Sequence, residues 1–422
     1  MNQYIHLFID EAPPPMSEAQ QPDCPVSEQK PPLLWMQSIL FSSTLLIAAI
    51  GVPWYGFSQG FTWGGWLAFI VILGANGMSI TAGYHRLWAH NSYKAHPLLK
   101  IMFALWGAAA TQNSILIWAS GHRRHHRHVD DIDNDPYSAK KGLWYSHIGW
   151  MLRDYEASSD DFSNARDLQR DKIVMWQHNN YLALVLIMNI APAVILGFIT
   201  GNMLENILLA GVLRLVVSHH TTFFINSLAH YWGRRPYTDE NTARDNDFLA
   251  LLTYGEGYHN YHHIFQNDYR NGIRWWQYDP TKWLIKAASW LGLTWDLRKV
   301  PDFKIQRAIL TMQFKKAESA LRQSKGADAK HFGAFLEQEY QQFCEYLNDW
   351  STVSQSWMEA KRGLISAQKE ALQENFVGKK EQLQLNFNHA WEHATLRTRL
   401  KELEYALKMQ RKRLQLLSVQ MA

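Results

Sequence analysis

The stretch WGGWLAFIVILGANGMSITAGYHRLWAH, residues 63–90, runs from Trp63 to Ala82 without a charge and then reaches two histidines, His85 and His90. About 20 predominantly apolar residues suffice for a helix to cross a bilayer. The stretch therefore reads as a span that delivers imidazoles to a membrane surface. Residues 33–54, 181–200 and 204–224 have the same character, the last with Arg214 inside it. Residues 98–117 are apolar but interrupted by Gln112, Asn113 and Ser114, so they read as lying in the interface or dipping into the membrane.

The loops divide by charge. Residues 52–62 carry none, and residues 201–205 carry only Glu205. The other connections hold Arg86, Lys94, Arg123, Arg124, Arg127, Lys140, Lys141, Arg234 and Arg235. The positive-inside rule places these loops and both termini in the cytoplasm. The expected fold is an all-α integral membrane protein. Four transmembrane helices carry a cytoplasmic helical cap, which holds a histidine-ligated di-metal site, and a C-terminal helical extension follows. The expected divisions are a disordered cytoplasmic tail (1–32), the membrane and cytoplasmic domain (33–300) and the extension (301–422).

The imidazoles are ordered along the chain. His85 and His90 are followed by His122, His125 and His126, then His230, then His259, His262 and His263. Imidazole suits iron, zinc, copper and nickel. Nine are too many for one ion and suit two. His-x-x-His-His places rings at i, i+3 and i+4, on one helix face. Each such trio is expected to hold one side of a metal centre. His85 and His90 are off-face on a regular helix, so a helix end and a bend are expected between them. Zinc is well served by four ligands, often with thiolate. Redox iron in pairs is the better match.

The bulk composition removes other classes. A net charge of +4 with no aromatic-laced basic stripe gives no nucleic-acid partner. Two distant cysteines, Cys24 and Cys344, exclude a disulfide framework, an iron–sulfur cluster held within the chain and Cys-based zinc. The acidic, proline-containing start is not a signal peptide. Near the other end, Leu396, Leu400, Leu403, Leu407, Leu414 and Leu417 follow a heptad stripe with Gln410 in the missing slot. It reads as a helix packed on its own chain, with a coiled-coil homodimer as the alternative.

The order of the histidine boxes resembles the membrane-bound fatty-acid desaturase and hydroxylase superfamily. The words Thr81-Ala82-Gly83, Asn226-Ser227-Leu228-Ala229-His230 and Gly255-Glu256-Gly257-Tyr258-His259 are similar to those of the acyl-CoA delta-9 (stearoyl-CoA) desaturases. The resemblance covers roughly residues 33–297. It implies two non-haem irons held by His85, His90, His122, His125, His126, His230, His259, His262 and His263, with Asn226 contributing through a water. Asp131, Asp135 and Glu256 read as carboxylates that orient imidazoles. Asp131 and Asp135 read equally well as surface residues.

The resemblance also implies a bent tunnel for an acyl chain, with Trp118, Gln112 and Thr222 at the kink and Leu73 and Gly77 towards the methyl end. Trp118 alone would also suit a membrane-interface anchor. The implied activity is O2-dependent insertion of a cis double bond. The implied partners are a fatty-acyl substrate, most simply a CoA thioester, and an external donor such as a ferredoxin, a rubredoxin or a cytochrome b5-like protein. The membrane would be the inner membrane of a prokaryote or the endoplasmic reticulum of a eukaryote. Two places depart from the pattern. Ser120-Gly121 stand where an Arg-Asp pair faces the CoA headgroup, and Arg153-Asp154 replace a basic pair. The carrier is thus open between CoA, a carrier protein and a lipid.

Two other readings compete. A di-iron hydroxylase of alkyl or acyl chains would use the same metals without the bent clamp. A metal transporter or sensor would place its histidines inside the spans along a path.

Overall fold

The computed structural model describes residues 30–158, 161–323, 327–373 and 379–420. The tail expected at 1–32 lies almost wholly outside them. Among the described residues four helices are long and apolar enough to cross a membrane: Trp35–Ser58, Trp63–Ala89, Tyr181–Thr200 and Met203–Tyr231. They begin and end on local chemistry. The Thr62 hydroxyl accepts the Gly65 amide at the start of the second span. Gly201, at φ +70°, terminates the third in the left-handed conformation that glycine adopts without strain.

Burial separates inner from outer spans. Only 6% and 17% of the first and third apolar windows are buried, against 39% and 44% of the second and fourth. The second and fourth therefore build the interior, while Leu46, Ile50, Leu182, Ile187, Ile195 and Phe198 face outward. Such a quantity of exposed apolar surface suits a bilayer, not water.

The 98–117 region resolves into the Pro97–Ala109 helix, a break, and the Ile115–Arg127 helix. The first is too short to span and stops inside the bundle. Its final carbonyls would be costly if left unpaired there. Arg214 of the fourth span donates Nη1 to Ala109 O at 2.9 Å, and His219 Nε2 lies 2.9 Å from Ala110 O. The remaining guanidinium donors reach Ala210 O and Asn189 Oδ1. A buried cation in a span is thereby accounted for as a cap for a neighbouring helix.

The second span does not bend between its two histidines. Over Ser79–Ala89 it widens into a π-helix, and the His90 amide donates to His85 O at 3.0 Å. Bonding from i to i+5 brings residues five apart onto one face. The expected bend is corrected: the five-residue spacing fits a wider helix.

A short antiparallel pair, Lys94–Ala95 with Thr294–Trp295, ties the exit of this span to the chain after the Pro280–Trp290 helix. The extension then forms three helices, Asp302–Gln323, Ala327–Gln373 and Lys379–Gln420. Phe303, Leu310, Phe314, Phe343, Leu407 and Leu414 make its core. Gln410, fully buried in its heptad slot, donates Nε2 to Glu339 O at 2.7 Å. Leu403, Leu407 and Leu414 are buried against their own chain. The side chain of Leu417 lies outside the described residues.

Candidate metal centre

Three α-helical or π-helical segments and one short turn converge their imidazoles. The π-helical end of the second span supplies His85 and His90, and the Ile115–Arg127 helix supplies His122, His125 and His126. The His259–Ile264 helix supplies His259, His262 and His263, and His230 comes from the last turn of the fourth span.

All nine rings meet, in two groups. His85, His90, His122, His126 and His262 form one, and His125, His230, His259 and His263 form the other; within each group the candidate ligand atoms lie within 4.8 Å of one another. Neither His-x-x-His-His trio falls within one group. Each helix lies between the two groups and divides its trio. His122 and His126 turn to the five-ring group and His125 to the other, while His262 joins the first and His259 and His263 the second.

The ring nitrogens show what could sit between them. Nε2 atoms face one another at 2.8 Å for His90–His122, 3.0 Å for His85–His262, 2.9 Å for His126–His262, 3.1 Å for His230–His259, 3.0 Å for His259–His263 and 3.4 Å for His125–His263. A proton shared within each pair cannot satisfy a ring that faces two others, as His262 does. Two nitrogens bound to one ion at about 2.0–2.1 Å, at angles between a right angle and tetrahedral, would stand about 2.9–3.4 Å apart. The donor set fits two divalent metal ions.

The outer nitrogens fix this orientation. His85 Nδ1 lies 2.9 Å from Glu256 Oε2, and His125 Nδ1 lies 2.9 Å from Asp135 Oδ1. His122 Nδ1 meets the Tyr137 hydroxyl at 3.2 Å, and His230 Nδ1 meets Thr242 Oγ1 at 2.9 Å. An acceptor at Nδ1 keeps the proton there and turns the Nε2 lone pair inward. Burial, with neighbouring imidazoles next, holds His122, His126, His262 and His263 well below the ordinary histidine range. Neutral rings are what a metal requires.

Burial alone would raise the Glu256 carboxyl, but the Arg86 charge, with hydrogen bonds from Arg86 and His85, outweighs it and holds it down at about 2. Arg86 also reaches Tyr269 O and Asp279.

Of the three expected carboxylates, Glu256 and Asp135 reach imidazoles. Asp131 does not: it accepts the Asp133 and Asn134 amides in a partly exposed turn. Its neighbour Asp130, at φ +66°, turns inward and accepts both the amide and the hydroxyl of Thr242. Sequence reading missed Asp130, Thr242 and Tyr137. Adjacent aspartates gave a signal for one carboxylate but not for which, and Thr242 gave none.

A cavity of about 410 Å³ opens beside the imidazoles, and His85, His122, His259, Glu256 and Asn226 lie in its wall. Gln112 Nε2 donates to Thr222 Oγ1 at 3.0 Å, and Trp118 stacks on the His122 ring at a centroid distance of 4.9 Å. These three expected kink residues line the cavity together. Leu73 and Gly77 are not in its wall; Tyr254 covers them, its hydroxyl donating to Leu73 O. Ser120 Oγ lies 2.7 Å from both Asp161 O and Asn164 Oδ1, so it faces a neighbouring loop.

Residues 60–289 match the sequence profile of the fatty acid desaturase family. The chain is 43% identical over 284 residues to a probable acyl-CoA desaturase of Schizosaccharomyces pombe, covering 67% of this chain and 58% of that protein. It is 44% identical over 241 residues to acyl-CoA desaturase 1 of Saccharomyces cerevisiae, covering 57% and 47%. An sn-2 palmitoyl-lipid 9-desaturase of Nostoc is 36% identical over 274 residues, covering 64% of this chain and 92% of that protein. The chain thus spans about half the length of the two yeast relatives and nearly all of the cyanobacterial one. With its histidine-lined cavity at the end of membrane spans and this match over more than half its length, the chain belongs to the fatty acid desaturase family.

Proposed function

We propose that the protein is an O2-dependent fatty-acyl desaturase that places a cis double bond at the delta-9 position of a saturated long chain. The observation that carries this reading is the cavity itself: imidazoles of both groups stand in one wall beside a clamp made by Gln112, Thr222 and Trp118. Two irons would be held by His85, His90, His122, His126 and His262 and by His125, His230, His259 and His263, with Asn226 contributing through a water. Bound iron supplies reductive activation of O2 and removal of hydrogen from unactivated C–H bonds. In balance, one –CH2–CH2– unit, O2, two electrons and two protons give –CH=CH– and two waters.

The chain's own residues do the positioning. The Gln112–Thr222 bond closes one side of the cavity, and Trp118, braced on His122, closes another. An acyl chain held there would bend, and a bent chain presents neighbouring methylenes in the geometry a cis alkene needs. Glu256, Asp135, Tyr137 and Thr242 keep the rings aimed inward.

The substrate carrier is proposed as CoA. Arg124 and Arg153 lie in the cavity wall and suit phosphates, and two relatives carry acyl-CoA in their names. The two electrons come from an external acidic donor docking on the basic loops, which the positive-inside rule sets in the cytoplasm with both termini. The test is expression in a host poor in unsaturated acids, with gas chromatography of its lipids. A new delta-9 monoene is expected, and His262→Ala should lose both product and iron. Absence of any monoene from intact, iron-loaded protein would sink the reading, and a hydroxy acid would favour hydroxylation instead.

A further inference from the structure

Next to the cavity wall on the second span, the surface of Gly77 is covered by a residue outside the expected tunnel set. Along the second span the wall includes His85, Thr81 and Ile80, then stops. Gly77 is the next position one turn away, and its surface is already covered. A Cβ placed on Gly77 would lie 2.0 Å from Tyr254 Cε2 and 2.4 Å from Cζ. The phenol ring thus rests directly on the glycine backbone, which only glycine permits. Its hydroxyl donates to Leu73 O at 3.2 Å, a further turn along.

The ring is held firmly. Tyr254 sits at φ +56°, a left-handed conformation unusual for a bulky residue, and Gly255 follows at φ +99°. The Tyr254 carbonyl accepts Thr281 Oγ1 at 2.8 Å, and Thr281 Oγ1 meets Thr81 Oγ1 at 2.7 Å. Thr81 is a wall residue, so the ring is tied to the wall it terminates. Two residues further on, Glu256 enters the same wall and holds His85. One strained turn therefore supplies both an imidazole's partner and the ring that covers the span beyond the last wall residue.

Resting on the reading that an acyl chain fills this cavity, we propose that Tyr254, seated on Gly77, is the stop for the methyl end and limits the chain length the protein accepts. The stop is delivered by the loop between Leu252 and Glu256, not by a side chain of the second span. Leu73 contributes only its carbonyl.

Two substitutions remove the ring and suit its backbone: Tyr254→Gly, which relieves the positive φ, and Tyr254→Asn, which tolerates it. Tyr254→Phe keeps the ring. The detergent-solubilised full chain is assayed by thermal shift with palmitoyl-, stearoyl-, arachidoyl- and behenoyl-CoA, and the monoenes formed in the expression host are sorted by chain length. In the wild type and Tyr254→Phe, stabilisation should peak at one length and fall beyond it. In Tyr254→Gly or Tyr254→Asn each added methylene past that peak should gain affinity, by about fourfold where it is fully buried, and the monoenes should shift to longer chains. An unchanged length ranking in both ring-less variants, with acyl binding retained, overturns the stop and leaves the desaturase reading standing. A wild type that neither binds any of the four probes nor forms any monoene overturns both.

Discussion

Glu256 divides its carboxylate between two neighbours in sequence, with Oε2 2.9 Å from His85 Nδ1 and Oε1 2.8 Å from Arg86 Nη2. The span thus presents a ring of the five-imidazole group and a buried cation side by side, and one acid from a distant loop bonds both. Glu256→Gln keeps the shape and removes the charge. It should weaken metal retention about 10–100-fold, the usual cost of losing such a partner. Metal content after challenge with graded chelator measures this; wild-type retention would show that the carboxylate is not needed.

The Thr242–Asp130 pair makes a sharper test, because it serves only one of the two groups. Thr242→Val preserves volume but deprives His230 of its Nδ1 partner and leaves Asp130 with only the backbone amide of residue 242. Metal should be lost from the four-ring group first, so content should fall toward half of the wild-type value. Asp131→Asn, one residue from Asp130, should leave metal content unaltered. Equal loss in both variants would contradict the placement of Asp130.

Asp245 gives a pH signature. Burial raises its carboxyl to about 7, and Oδ1 accepts the Tyr261 amide just before His262. Between about pH 4 and pH 7 the folded chain keeps a proton that the unfolded chain has released. This contribution is therefore present at low pH and is lost as pH rises through about 7. Asp245→Asn cannot ionise, so its melting temperature relative to wild type should rise across that window. A difference that stays flat with pH would refute the assignment.

Leu407 is fully buried among the three extension helices. Leu407→Ala should cost about 2–5 kcal/mol locally and render the extension sensitive to protease. Because Leu403, Leu407 and Leu414 are already covered within their own chain, sedimentation behaviour should not change. A loss of dimer in the variant would instead favour the coiled-coil alternative.

The spans were legible because length and absence of charge are conditions a bilayer imposes directly. The nine rings were legible because no other side chain repeats so regularly beside those spans. Their division into five and four was not, since spacing along a helix says which rings share a face but not where a partner helix will stand. His122 and His125 differ by less than one turn and go to different groups. Asp130 and Asp131 are adjacent and alike in type; the left-handed turn at Asp130 decides which one enters. Tyr254 carried no periodic signal, because it sits in a turn whose conformation depends on the glycine beside it and on Thr281, which donates to its carbonyl.

The widened helix at Ser79–Ala89 has a consequence for how this stretch can change. Were the segment to relax to an ordinary α-helix, five residues at about 100° each would set His85 and His90 roughly 140° apart around the axis, and the two rings would no longer face one group. Every residue of Ser79–Ala89 is buried, so the widened turn is packed on all sides. The spacing of five between His85 and His90, and the helix form that makes it useful, are therefore as much a part of this site as the rings themselves.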